Sequence, residues 1–237
     1  MTVIAIDWSG AKGTGKLPGI WVTALRGSDL LVDNGNWTRA EAVDFVLQQQ
    51  PPVVAGFDFS FGLPAWFARE LDCVTIDDVW ARAASDGERW LAPTAPFWRA
   101  RCAVPSEQRF RACEIALQRI GYAPKSVFQL VGNGQVGAGS VRGMPQLARL
   151  RDEGFAIWPF DDAGDRAALE IYPSLLRKQF PALDETDAPS PHARDARASA
   201  RVMQTRAGEL SSLAATRDPV TRLEGDIWVP TMIIRSP

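Results

Sequence analysis

The chain has 237 residues, of which 46% are hydrophobic and 23% charged, and its formal charge is −2. That is ordinary globular composition, with length for one domain or one domain plus an insertion. A net charge near zero argues against a general nucleic-acid coat. No run approaches the ~18 apolar residues of a membrane span, and the short first apolar run carries Asp7 and lacks the basic flank of a signal peptide, so the expected compartment is the cytoplasm.

Val3 to Trp8 reads as a short buried strand ending in an acid. A glycine-rich turn over 10–19 leads to a second strand, Ile20 to Leu25. The turn Gly27-Ser28-Asp29 then gives a third, Leu30 to Val32, completing an antiparallel meander. Thr38 with Glu41 makes a capping-box pattern for a helix that Pro51-Pro52 stops. Val53 to Asp58 is a second buried strand ending in an acid, and a helical crossover places it parallel to the first. Residues 64–125 read as a helix- and loop-rich insertion punctuated by Pro93, Pro96 and Pro105. The five glycines Gly132, Gly134, Gly137, Gly139 and Gly143 are too many for a helix or strand interior, so 126–143 is expected to be a loop, flexible or cradling an anion, before a helix near 144–152. Strands follow at 155–158 and 168–172, a proline- and acid-rich linker at 181–191, and a helix from His192 to Ala215 with an apolar stripe. The fold expected is one α/β domain over 1–237 of the RNase H-like type: a mixed sheet, three strands antiparallel and the rest parallel, flanked by helices.

Charge is unevenly distributed. Residues 1–80 hold five basic against ten acidic side chains, 81–151 eleven against four, and 152–237 ten against fourteen. A basic middle between acidic ends suits an anion-binding surface beside a carboxylate site, though solubility alone also produces it. Arg89, Arg99, Arg101, Arg109 and Arg111 interleave with Trp90, Phe97, Trp98 and Phe110. That pattern fits a single-stranded nucleic acid stacked on aromatics, and equally a capping layer with buried rings. Nucleic acid is thus the partner expected of the basic segment 81–151. Cys73, Cys102 and Cys113 form no CxxC pair, and one histidine, His192, makes a closed zinc site improbable. Gly10 to Lys16 fits GxxxxGK, but Leu17 replaces the magnesium-binding hydroxyl and Pro18-Gly19 and a strand follow, so an accidental match is expected.

The acids at strand ends carry more weight. Asp7, Asp58, Glu170 and Asp195 stand at strand ends or on a helix able to return to the same face, and phosphodiester hydrolysis with Mg²⁺ or Mn²⁺ needs such carboxylates. The stretches AIDWSGA (5–11), GFDFSFGLP (56–64), SVFQLVGNGQVGAGSVRGMPQL (126–147), LEIYPS (169–174), RDARASA (194–200) and EGDIWVP (224–230) resemble the bacterial domain-of-unknown-function family 429. That family is described as predicted RNase H-like nucleases, and the resemblance runs in order along nearly the whole chain. It implies a metal-dependent nuclease with catalytic Asp7, Asp58, Glu170 and Asp195, the metals held by Asp7, Asp58 and Asp195. In the last helix only Asp195, between Arg194 and Arg197, stands where such proteins often carry two acids, which puts a second metal in doubt. Lys12, Arg142 and Lys178 are candidate phosphate contacts. Two other readings stay open: a nucleotide or phospho-ligand binder related to the actin-like ATPases, and a non-catalytic partner-binding protein.

Overall fold

The computed structural model describes residues 1–13, 15–92, 95–99, 102–132 and 136–231. Pro93, Arg101 and Gly134, which entered the sequence reading, lie outside the described residues.

The chain opens with β1 (Thr2–Asp7), β2 (Leu17–Arg26) and β3 (Asp29–Trp37), an antiparallel meander. Helix α1 (Arg39–Leu47) starts at the Thr38–Glu41 capping box, and β4 (Val53–Phe57) then pairs with β1 in parallel. The segment after β4 holds α2 (Ala65–Glu70), α3 (Ile76–Trp90), α4 (Ala112–Arg119) and α5 (Val136–Asp152). Two parallel strands follow, β5 (Ala156–Ile157) and β6 (Arg166–Glu170), then α6 (Pro173–Gln179), α7 (Pro191–Thr205), α8 (Ala207–Leu210) and α9 (Thr221–Glu224). The sheet order is β3-β2-β1-β4-β6-β5, so this is an α/β protein with a six-stranded mixed sheet flanked by helices. Among the described residues no helix is long and apolar enough to cross a membrane.

Strand alternation divides the interior in two. Ile4, Ile6 and Phe57 face a core shared with α1, α3 and α5, while Val3, Ala5 and Leu169 face the opposite side, where Ala200, Met203 and Trp228 cover them. Ile6, Phe57 and Glu170 are register partners across three parallel strands, so Asp7, Asp58 and Glu170 arrive at one end of the sheet.

Two expectations are corrected. Residues 136–143 are helix, not loop, because their glycines let neighbours approach: a Cβ at Gly137 would fall 2.4 Å from the Val127 carbonyl oxygen, and one at Gly143 2.6 Å from the Phe59 ring. The last long helix ends at Thr205 rather than near Ala215, with the four-residue α8 and irregular chain beyond it. The arginine- and aromatic-rich segment packs as a cap: Trp90 stacks on Phe97 at 6.0 Å, and Phe97 meets Phe67 and Phe128 edge-on.

Candidate functional site: a carboxylate cluster at the sheet end

Asp7 and Asp58 follow the alternation of Val3, Ala5 and Val54, and so face the side of the sheet that α7 covers. Helix α7, capped by Ser190, lies over β1 and β2 and brings His192 and Asp195 to the same place. His192 Nδ1 is 2.8 Å from Asp7 Oδ1. From α6, Arg177 Nε stands 2.6 Å from Asp195 Oδ1, as an ion pair whose N–H is not aligned along the contact. Asp58 is partly buried, and its side chain has no hydrogen bond or ion pair among the described residues.

The electrostatics follow from this crowding. Burial pushes the Asp7 carboxyl up to about 6, against the pull of the His192 hydrogen bond. Burial, then the charges of Asp7, Asp195 and Glu170, hold Asp58 well above the usual carboxylate range. Asp195 is raised by burial, and Arg177 offsets part of it. The bond to Asp7 raises His192, whose ring is half exposed.

Glu170 reaches the same sheet end on the opposite face, one residue out of phase with Asp7 and Asp58. There the Arg111 guanidinium donates to both of its oxygens, at 2.8 and 2.5 Å, and the Phe61 amide adds a third bond. Arg111, fully buried, also donates to Glu114 at 3.0 Å and to the Ser60 hydroxyl at 3.2 Å. The carboxylate cluster proper is therefore Asp7, Asp58 and Asp195, with Glu170 bracing the strand end behind it.

The acids are hard oxygen donors of the type Mg²⁺ and Mn²⁺ take, but as placed they do not fit a metal ion. Asp7 is turned to His192 and Asp195 to Arg177, and among the described residues no three Asp, Glu, His or Cys side chains are disposed to hold one together.

Of the expected phosphate contacts, Lys12 and Arg142 border one cavity, whereas Lys178 is exposed on α6 with its ammonium 5.6 Å from the Tyr122 ring centre. Lys16, the lysine of the GxxxxGK match, is bound to Glu41 at 2.6 Å, and β2 follows it instead of a helix. His192, Arg177 and Arg111 were not singled out as site residues in the sequence. The one available signal was that the only histidine opens the helix carrying Asp195; nothing in the spacing of Arg177 marks Asp195 as its partner, and for Arg111 spacing marks only Glu114, three residues on, and not Glu170. Comparison of the chain with protein-family models, with curated proteins and with solved structures found no match.

Proposed function

We propose that this protein hydrolyses phosphodiester bonds of nucleic acid at the cluster of Asp7, Asp58 and Asp195. The observation that carries this reading is Asp58: a carboxylate without hydrogen bond or ion pair among the described residues, held beside two further acids by elements distant in sequence. Such a group costs folding free energy and is poised to take a proton. Next to it stand a histidine raised by its bond to Asp7 and an arginine paired with Asp195.

The chain's own groups then divide the work. Asp58 accepts the proton of the attacking water, protonated His192 donates one to the leaving oxygen, and the Arg177 guanidinium offsets charge on the phosphoryl oxygens. One proton is taken and one given, so the site returns to its starting state after one proton exchange with solvent. The nucleic acid as substrate belongs to the same proposal, and no step of it runs through Mg²⁺ or Mn²⁺, since the acids as placed do not fit a metal ion.

The test is hydrolysis of labelled single-stranded and double-stranded RNA and DNA with Mg²⁺, Mn²⁺ or EDTA, by the wild-type protein and Asp58→Asn, beside calorimetric titration of each cation. Cleavage that falls by about 10²–10⁴-fold in Asp58→Asn supports the reading. No cleavage of any substrate under any of these conditions, or cleavage unchanged in Asp58→Asn, overturns it. Saturable cation binding lost in Asp58→Asn would put the metal at this cluster, and activity undiminished in EDTA would remove it from the mechanism.

A further inference from the structure

A second site lies on the other face of the sheet end. The loop after β1, the start of α1 and the facing sides of α3 and α5 line an open cavity of about 740 Å³. That volume is within the range of small-molecule sites. Three cations border it, Lys12, Arg39 and Arg142, against one acid, Glu88.

The partners of these cations leave the imbalance standing. Arg142 is held by Glu88 at 2.7 and 3.0 Å and by the Gly10 carbonyl, so the single acid is used. Arg39 forms no ion pair with a carboxylate among the described residues, although the Glu88 charge acts on it from a distance. Its guanidinium donates to the carbonyls of Ser9, Gly13 and Ala11, and Arg142 is the cation that bears on it. Burial and then the Arg142 charge bring Arg39 down to about 10. The Lys12 ammonium has no hydrogen bond or ion pair among the described residues. A half-buried guanidinium facing a second one is costly, and Glu88, already bonded to Arg142, offsets only part of that cost, so a further anion would be favoured there. Arg39 also ties the carbonyls of 9–13 to itself, and the loop makes that turn through Gly13 at φ +119°.

The rest of the wall is of a different kind. Pro145, with the largely covered Ala83 and Val141 behind it, gives an apolar wall, and the Gln146 carboxamide, with no hydrogen bond among the described residues, offers one donor and one acceptor beside it. Phosphate beside the cations and a flat, hydrogen-bonding body against the apolar wall is the chemistry of a nucleotide.

We propose that this cavity binds a nucleoside phosphate, with Lys12 and Arg39 at the phosphate and the base against Ala83, Val141 and Pro145. The ligand is a free nucleotide or the phosphorylated end of a nucleic-acid strand, which share this chemistry. The site is separate from the carboxylate cluster and does not depend on hydrolysis there: the cluster lies on the α7 side of the sheet, the cavity on the side of α1, α3 and α5.

Calorimetric titration of inorganic phosphate, AMP and a 5′-phosphorylated DNA hexamer into wild type, Lys12→Ala, Ala84→Glu and Asp58→Asn tests it. Lys12 and Ala84 are exposed, so neither substitution disturbs packing, and the glutamate brings a negative charge to the cavity wall. The expected result is saturable binding of AMP or the hexamer, weakened by about tenfold or more in Lys12→Ala and Ala84→Glu and within about twofold of wild type in Asp58→Asn. AMP binding as tightly as the hexamer identifies the free nucleotide, and a hexamer about tenfold tighter identifies the strand end. Absence of saturable binding by all three probes overturns the proposal, as does binding that Ala84→Glu leaves unchanged. Binding lost in Asp58→Asn but kept in Lys12→Ala would place the ligand at the carboxylate cluster and also overturn it.

Discussion

Arg111 has no exposed surface, and its five N–H donors are shared among Glu114, Glu170, the Ser60 hydroxyl and the Glu224 carbonyl. Removing one member of such a network strands the other charges out of water, at a cost of about 3–5 kcal/mol. Arg111→Met should therefore lower the unfolding free energy by that order in urea titration, and the loss should be larger at pH 8 than at pH 5, where the abandoned Glu114, its carboxyl raised by burial, can take up a proton. An unchanged urea midpoint would show that the network does not hold the strand end. The acids on the other face make a separate prediction. Asp7 binds its proton more tightly folded than unfolded, its pKa moving from 3.8 to about 6, and Asp226, buried near the C-terminus, is raised to the same value. Stability from each is full below pH 3.8 and is lost as pH rises through 6, on the order of 3 kcal/mol for Asp7 at ~1.4 kcal/mol per unit. His192, raised by Asp7, adds a loss in the same direction above pH 6.5. Carboxylates pulled down by partners, such as Asp33 beside Arg197, act oppositely, their contribution vanishing as pH falls below 3.8. The urea midpoint should thus peak near pH 4–5 and fall toward pH 7, and Asp7→Asn should flatten the fall between 4 and 6. A midpoint that rises from pH 5 to 7 would contradict the raised Asp7.

At the scale of elements, α5 shows packing overriding local preference. Gly143→Ala gains about 1 kcal/mol of helix propensity, but the new methyl would stand 2.6–2.7 Å from three atoms of the buried Phe59 ring. Overpacking of this kind costs about 1–3 kcal/mol, so the variant should be less stable in urea, and a more stable Gly143→Ala would refute the close approach. The same helix marks the limit of what the sequence discloses. Glycine spacing carries no record of which chain comes close, so Gly137, Gly139 and Gly143 read as loop until Val127, Gly10 and Phe59 are found beside them. By contrast β1 and β4 were legible, since buried parallel strands are short continuous apolar runs, the first ending in Asp7 and the second followed at once by Asp58. The meeting of Asp7 and Asp58 was legible with them, because the order meander, helix, strand fixes which ends meet; Asp195 arrives on α7, whose packing that order does not fix. The face of Glu170 was not, since it depends on a register that local pattern leaves open. The reach of Arg177 and Arg111 depends on the packing of α6 and α4, which no local spacing encodes.

For the whole molecule, the arrangement of the two cores decides how it unfolds. Neither core is closed without the sheet: Ile4 and Ile6 belong to one, Val3 and Ala5 to the other, along the same six-residue strand. A unit that lost α7 and its neighbours would expose Val3, Ala5, Val54 and Leu169, four buried apolar residues on three adjacent strands. At roughly 1.5–3 kcal/mol for each large side chain exposed, that half-unfolded state lies several kcal/mol above the folded one and cannot accumulate. The insertion is bound in as well, because Trp80 of α3 donates to the Phe61 carbonyl just beyond β4 and the Glu224 carboxylate at the end of α9 accepts from both Ala65 and Ala112. The protein should therefore unfold in one transition despite its length. Tryptophans report on both halves, Trp80 and Trp90 in one core and Trp158 and Trp228 in the other, so fluorescence and far-UV circular dichroism should give superimposable urea curves. Curves whose midpoints separate would mean that the insertion or the α7 layer unfolds alone, and the shared sheet would then not be what couples the two cores.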